Sequence, residues 1–145
     1  MSVANTDVET KSLLCPSARP EMNGSVLFGV VTGTVDEHRV AYLKDPNPVG
    51  VEVLTLPSEV APTEIFRFAA PCACSGCVHF NDDKCRLAAR LVRLVPNVVD
   101  VLPQCKIRPN CRWWIQEGRA ACLRCPQIVT EDYGASEKLR DAASP

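Results

Sequence analysis

Hydrophobic and polar positions divide the chain into stretches of different period. Between Ser25 and Ala70, β-branched and aromatic residues are punctuated by turn formers, with runs at 25–34, 39–43, 49–56 and 65–69. These runs predict three or four short strands. Asp36-Glu37 fits a turn between the first two, and Lys44-Asp45-Pro46-Asn47-Pro48 reads as a break, because a proline has no N–H to give a central ladder. The run at 49–56 is the ambiguous one, since Val51, Leu54 and Val60 also match a short helix.

After Pro71 the period changes. Leu87, Leu91, Leu94 and Val95 recur at helical spacing while Arg86, Arg90 and Arg93 fall on the other side, with Asp82 and Asp83 near the start to complement the dipole. The spacing predicts a helix over 84–95 that packs its leucine face on the strands. Pro96 ends it, a short helical turn is expected over 97–102, and Pro103 stops that turn. The first twenty or so residues hold no sustained period, and the last fifteen read the same way, apart from a helical turn at 136–142.

The fold class expected is therefore α+β: a small N-terminal antiparallel β unit, a meander or partly open barrel, followed by a cysteine-rich module with short helices. The boundaries drawn are a flexible tail at 1–22, the β unit at 23–71, a cysteine-rich metal-binding module at 72–130 and a second flexible tail at 131–145.

Composition supports one globular unit. The chain has 145 residues, 46% hydrophobic and 23% charged, within the range of folded domains. Its longest apolar stretches, 26–31 and 94–102, are too short or too interrupted to span a bilayer. The N-terminus lacks the basic segment and apolar run of a secretory signal, so a cytoplasmic location and a reducing environment are expected. Nine cysteines in such a compartment are not read as a disulfide framework.

Eight of the nine fall into two fours: Cys72-x-Cys74-x2-Cys77-x7-Cys85, then Cys105-x5-Cys111-x10-Cys122-x2-Cys125. A metal needs several thiolates converging on one place, and a Cys-x2-Cys turn helps because the chain reverses there and turns N–H groups toward sulfur. Each half contains one such pair. Zinc sites usually use two knuckles per ion, so the pattern favours one or two iron–sulfur clusters of the 4Fe-4S type, with zinc as the alternative. The ending Cys122-x2-Cys125-Pro126 resembles the close of the bacterial ferredoxin run over five residues, but the compact four-cysteine pattern of that family is absent. His79 is a further candidate ligand, weighed against a packing role beside Phe80. Cys15 is read as a spectator thiol.

Charge modifies this picture. Residues 72–125 hold nine Lys and Arg against four Asp and Glu, an excess of five, which leaves −6 for the remainder of a chain whose net charge is −1. Such a basic module beside Trp113 and Trp114 is compatible with nucleic-acid binding. Eight thiolates would absorb most of that positive charge, however, and large rings can shield a cluster from water.

No nucleophile elbow, phosphate loop, dinucleotide fingerprint or HExxH helix is present, so catalysis by this chain alone is not expected. Gly29-x3-Gly33 reads as a bulge or close-packing device, and Gln116-Glu117-Gly118 as a solvated turn in which Glu117 is a candidate proton-handling residue. The functional expectation is electron transfer to, or assistance of, a partner redox enzyme. The rival is a zinc-stabilised module that recognises protein or nucleic acid.

Overall fold

The computed structural model describes residues 13–34, 37–50, 53, 59–82, 84–130 and 135–144. Strands β1 (Leu14–Ala18), β2 (Val26–Gly33), β3 (His38–Pro48) and β4 (Phe66–Pro71) form one antiparallel sheet in the order β1-β4-β2-β3. Short helices and the cysteine-rich segment follow, so the chain is α+β. A single helical turn, α1 (Pro62–Ile65), leads into β4. The hairpin β5 (Phe80–Asn81) and β6 (Lys84–Cys85) leads into α2 (Arg86–Leu94). The remaining helices are α3 (Arg112–Glu117), α4 (Arg119–Cys122) and α5 (Glu137–Ala143).

Three expectations are corrected. Strand β3 runs through Pro46 and Pro48 rather than stopping at Leu43, because β3 is an edge strand and an edge tolerates missing donors. Leu14–Ala18, expected in the tail, is strand β1, pairing Leu14 with Pro71 and Cys15 with Ala70. Five residues with a proline in their middle show no period, and the strand exists because β4 offers them a ladder. The expected turn at 97–102 is not helical: two prolines bracket six residues, too few to repay helix nucleation, and Val98 N–H instead donates to the Leu123 carbonyl at 3.0 Å. Most of the 49–56 run lies outside the described residues.

Alternation along β4 assigns its faces. Phe68 and Ala70 pack with Ala18, Leu27 and Phe66 on one side, while Ala69 joins Phe28, Tyr42, Ile107 and Cys105 on the other. The second side is the one the cysteine-rich segment covers. Gly29 sits at the bulge in β2, where a Cβ would come within 2.7 Å of Val40 Cγ1 and 3.3 Å of Arg67 Cβ. The glycine thus lets β2 approach the strand that carries Arg67, in keeping with the close-packing reading.

Helix α2 packs its apolar face on helices rather than on strands. Ala88, Leu91 and Val95 share a core with Trp113, Ala121, Ile128 and Ala142. The leucine pattern was legible, but it could not identify the partner, which comes from segments more than twenty residues further along the chain.

Candidate metal centres

The nine cysteines, all within the described residues, are free of disulfides. They gather in two groups on either side of β1 and Trp113. Successive residues of β1 point to opposite faces: Cys15 lines one cleft and Pro16 the other, while the ring of Trp113, 1% exposed, lines both.

Cys105, Cys111, Cys122 and Cys125 line the first cleft, a narrow one with a volume of about 20 Å³. Cys105 and Cys111 flank the 3₁₀ turn Arg108–Asn110, Cys122 ends α4, and Cys125 begins the 3₁₀ turn that runs to Gln127. The sheet supplies the opposite wall through Phe28 and Tyr42, stacked at 5.7 Å between ring centroids.

Into this wall Arg67 projects with 0% exposure. Its guanidinium donates to the Pro16 carbonyl at 2.7 and 3.0 Å, the Ile128 carbonyl at 2.8 Å, the Cys125 carbonyl at 3.1 Å and Cys125 Sγ at 3.3 Å. It also lies 5.2 Å from the centroid of Phe28 and 5.8 Å from that of Trp113. Burial opposes the charge, and the negative groups around it, Cys125 first, outweigh burial and hold the arginine above its ordinary pKa. A buried guanidinium is costly without an anion beside it. The group in that position is a sulfur.

Two further donors belong to this group. The buried Tyr42 hydroxyl meets no acceptor of proper geometry, although it lies beside Cys125. Burial first, and then the charge of Cys125, push its pKa up. Arg108, whose buried Nε lacks a partner, stands beside Cys122 and works against the burial that raises that thiol. Burial pushes Cys111 up to about 12 and raises Cys105, while backbone amides of Trp114 and Ile107 respectively work to lower them.

The second group lies at the β5–β6 hairpin. Cys15, Cys72, Cys77 and Cys85 line a cleft of about 180 Å³, and a wider one of about 490 Å³ shares Cys15, Cys77 and Cys85 with it. Cys72 is tied to the start of β1 by its N–H, which donates to the Leu13 carbonyl at 2.9 Å. Arg112, 6% exposed, donates from Nε to Cys72 Sγ at 3.2 Å and lies 5.3 Å from the Phe80 centroid. Cys74 has a positive φ of 51°; its sulfur is 3.8 Å from Arg112 Nη2, and its own N–H donates to Cys72 Sγ at 3.4 Å. His79 N–H donates to Cys77 Sγ at 3.4 Å. The His79 ring lines the wider cleft with its Nδ1 unpartnered; burial first and Arg90 second lower its pKa.

Gln116 was read as part of a solvated turn and is instead a clamp on the second group. Its Oε1 accepts Cys85 N–H at 2.7 Å and its Nε2 donates to the Cys85 carbonyl at 2.8 Å. The indole of Trp113, whose Nε1 has no acceptor of proper geometry, faces the Cys85 sulfur.

Four cysteines of the second half of the spacing pattern therefore share a cleft. In the first half Cys72, Cys77 and Cys85 are joined by Cys15, with Cys74 beside Cys72. Sequence reasoning missed Cys15, Arg67, Tyr42 and Gln116. Only Arg67 left a local signal, as a lone charge inside the apolar strand Phe66-Arg67-Phe68-Ala69-Ala70. Among the described residues, no three of His, Cys, Asp and Glu converge closely enough to hold a single metal ion. The thiols ring clefts rather than a point. Among the described residues, no helix is long and apolar enough to cross a membrane.

Fold and site together define an α+β protein in which two cysteine groups flank a shared strand and tryptophan. No family model, curated protein or solved structure matches the chain.

Proposed function

We propose that the chain is an iron–sulfur protein that carries electrons to, or assists, a partner redox enzyme in a reducing cytoplasm, where nine free thiols persist. The observation that carries this reading is the C-terminal cleft: four thiols, Tyr42 and Arg108 line it, the Tyr42 hydroxyl and Arg108 Nε lack acceptors, and Arg67 is directed at Cys125. Unpaired buried donors cost about 1–3 kcal/mol each, so this lining calls for a guest rich in acceptor atoms. Sulfide and thiolate sulfurs meet that need.

Cys105, Cys111, Cys122 and Cys125 would hold one 4Fe-4S group. Cys72, Cys77 and Cys85, with a fourth thiol from their neighbours, would hold another. What such a group supplies is a one-electron acceptor whose potential depends on burial and on hydrogen bonds to sulfur. The chain's own residues govern both. Arg67 and Arg112 direct cationic donors at sulfurs, which favours the more negative, reduced state. Trp113 and Phe28 exclude water. The exposed arginines of α2, Arg86 and Arg93, offer an acidic partner a docking face.

Anaerobically purified protein should be brown, lose visible absorption on dithionite addition, and regain it on reoxidation. Colourless protein carrying about two zinc ions would overturn the proposal in favour of a zinc-stabilised module.

A further inference from the structure

We infer that Cys15, from strand β1, is the fourth thiolate of the N-terminal centre and that Cys74 stands outside it. The inference rests on reading that group as a metal centre. The spacing Cys72-x-Cys74-x2-Cys77-x7-Cys85 makes Cys74 the obvious fourth ligand, and three observations oppose it.

The first is position. Both clefts of the group are lined by Cys15, Cys77 and Cys85, the inner one also by Cys72, and neither by Cys74. The second is the direction of backbone donors, since amides aimed at a sulfur favour its thiolate. Cys74 N–H points at Cys72 Sγ and His79 N–H at Cys77 Sγ, each at 3.4 Å, while the Ser17 amide faces Cys15 and the Leu87 and Ala88 amides face Cys85. Cys74 spends its own amide on a neighbour; the polar contacts acting on its sulfur come from the Cys72 and Arg112 side chains.

The third is anchoring. A ligand must be held where the metal needs it. Cys15 is fixed by pairing with Ala70, by the Leu14–Cys111 bridge, and by the two bonds Arg67 donates to the next carbonyl, Pro16. Strand β1 thereby touches both centres, one through the Cys15 side chain and the other through Pro16 and Arg67. The N-terminal strand is then a structural member of the metal-bound fold, and losing its thiol should empty one centre while sparing the other.

The test compares full-length Cys15→Ala and Cys74→Ala after anaerobic reconstitution, by counting iron and acid-labile sulfide. Cys15→Ala should fall from about eight irons per chain to about four, and Cys74→Ala should keep all of them. The reverse pattern, equal losses, or full retention in both would overturn the assignment. Zinc in place of iron would defeat the cluster reading yet still test the ligand, through a fall from about two ions to one in Cys15→Ala alone. Absence of any metal would end both.

Because Cys15→Ala alters a strand that both groups pack against, alkylation of the wild-type protein supplies a second measurement independent of folding. Iodoacetamide on the loaded chain should modify Cys74 without release of metal, and should reach Cys15 only after chelation. Modification of Cys15 in the loaded protein, or protection of Cys74 until chelation, contradicts the inference.

Discussion

The two cysteine groups are built on one plan and differ in enclosure. Each receives an arginine directed at a sulfur and backbone amides directed at others. At the C-terminal group the arginine is wholly buried, satisfies three carbonyls besides the sulfur, and closes a small cleft against the sheet. At the N-terminal group Arg112 directs its guanidinium at the sulfurs of Cys72 and Cys74, and the cleft opens into a wider one beside His79. Enclosure strengthens electrostatics and excludes water, whereas openness gives access. Under the proposed function, this difference would suit the C-terminal group to storage and the N-terminal group to exchange with a partner.

The sharpest way to break this contrast is to remove each arginine. Arg67→Leu strands the carbonyls of Pro16, Cys125 and Ile128 in the interior and should cost about 3–5 kcal/mol, read as a large fall in thermal midpoint. Arg112→Leu strands no carbonyl and should cost about 1–3 kcal/mol. Equal losses would mean that the two groups are not differently enclosed.

Gln116→Ala probes the anchoring of the open group. It leaves the Cys85 N–H without its acceptor and removes one donor from the Cys85 carbonyl, so a loss of about 1–3 kcal/mol is expected, together with weakened metal retention at the N-terminal centre only. Release of metal from both centres in parallel would show that they do not hold metal independently.

A further test is a pH slope that should be alike in both groups. In metal-free protein burial pushes Cys15 and Cys111, one thiol from each group, up to about 12 from the ordinary 9.0. A thiol whose folded pKa lies above its unfolded value holds its proton more tightly when folded. Its contribution is present below pH 9 and is lost as pH rises toward 12, at about 1.4 kcal/mol per pH unit for each thiol. Denaturant unfolding of the apo chain between pH 8 and 11 measures this. Metal-loaded protein should lack the alkaline fall, its thiols being already ionised, and should shed metal in acid.

Much of the fold was legible because it is local. Runs of β-branched and aromatic residues marked β2 and β4, and the leucine spacing marked α2. The edge position of β3, which excuses Pro46 and Pro48, and the strand at Leu14–Ala18 depend on which segments pair and have no signature in their own residues. The sites divide the same way. Spacing alone grouped Cys105, Cys111, Cys122 and Cys125, which share a cleft. What it could not reach are contacts across long separations: Arg67 to Cys125, 58 residues apart, and Gln116 to Cys85, 31 apart. The placement of Cys15 has the same origin, since the cleft beside Cys72, Cys77 and Cys85 is reached by a strand more than fifty residues earlier in the chain.

Native mass spectrometry of the anaerobic full-length protein tests the central claim most directly. The account predicts a loaded species heavier than the apo chain by two iron–sulfur groups, with a half-loaded species retaining one, in which Cys105, Cys111, Cys122 and Cys125 are the protected thiols. A mass accounted for by zinc ions without sulfide, or by the bare chain, would contradict it.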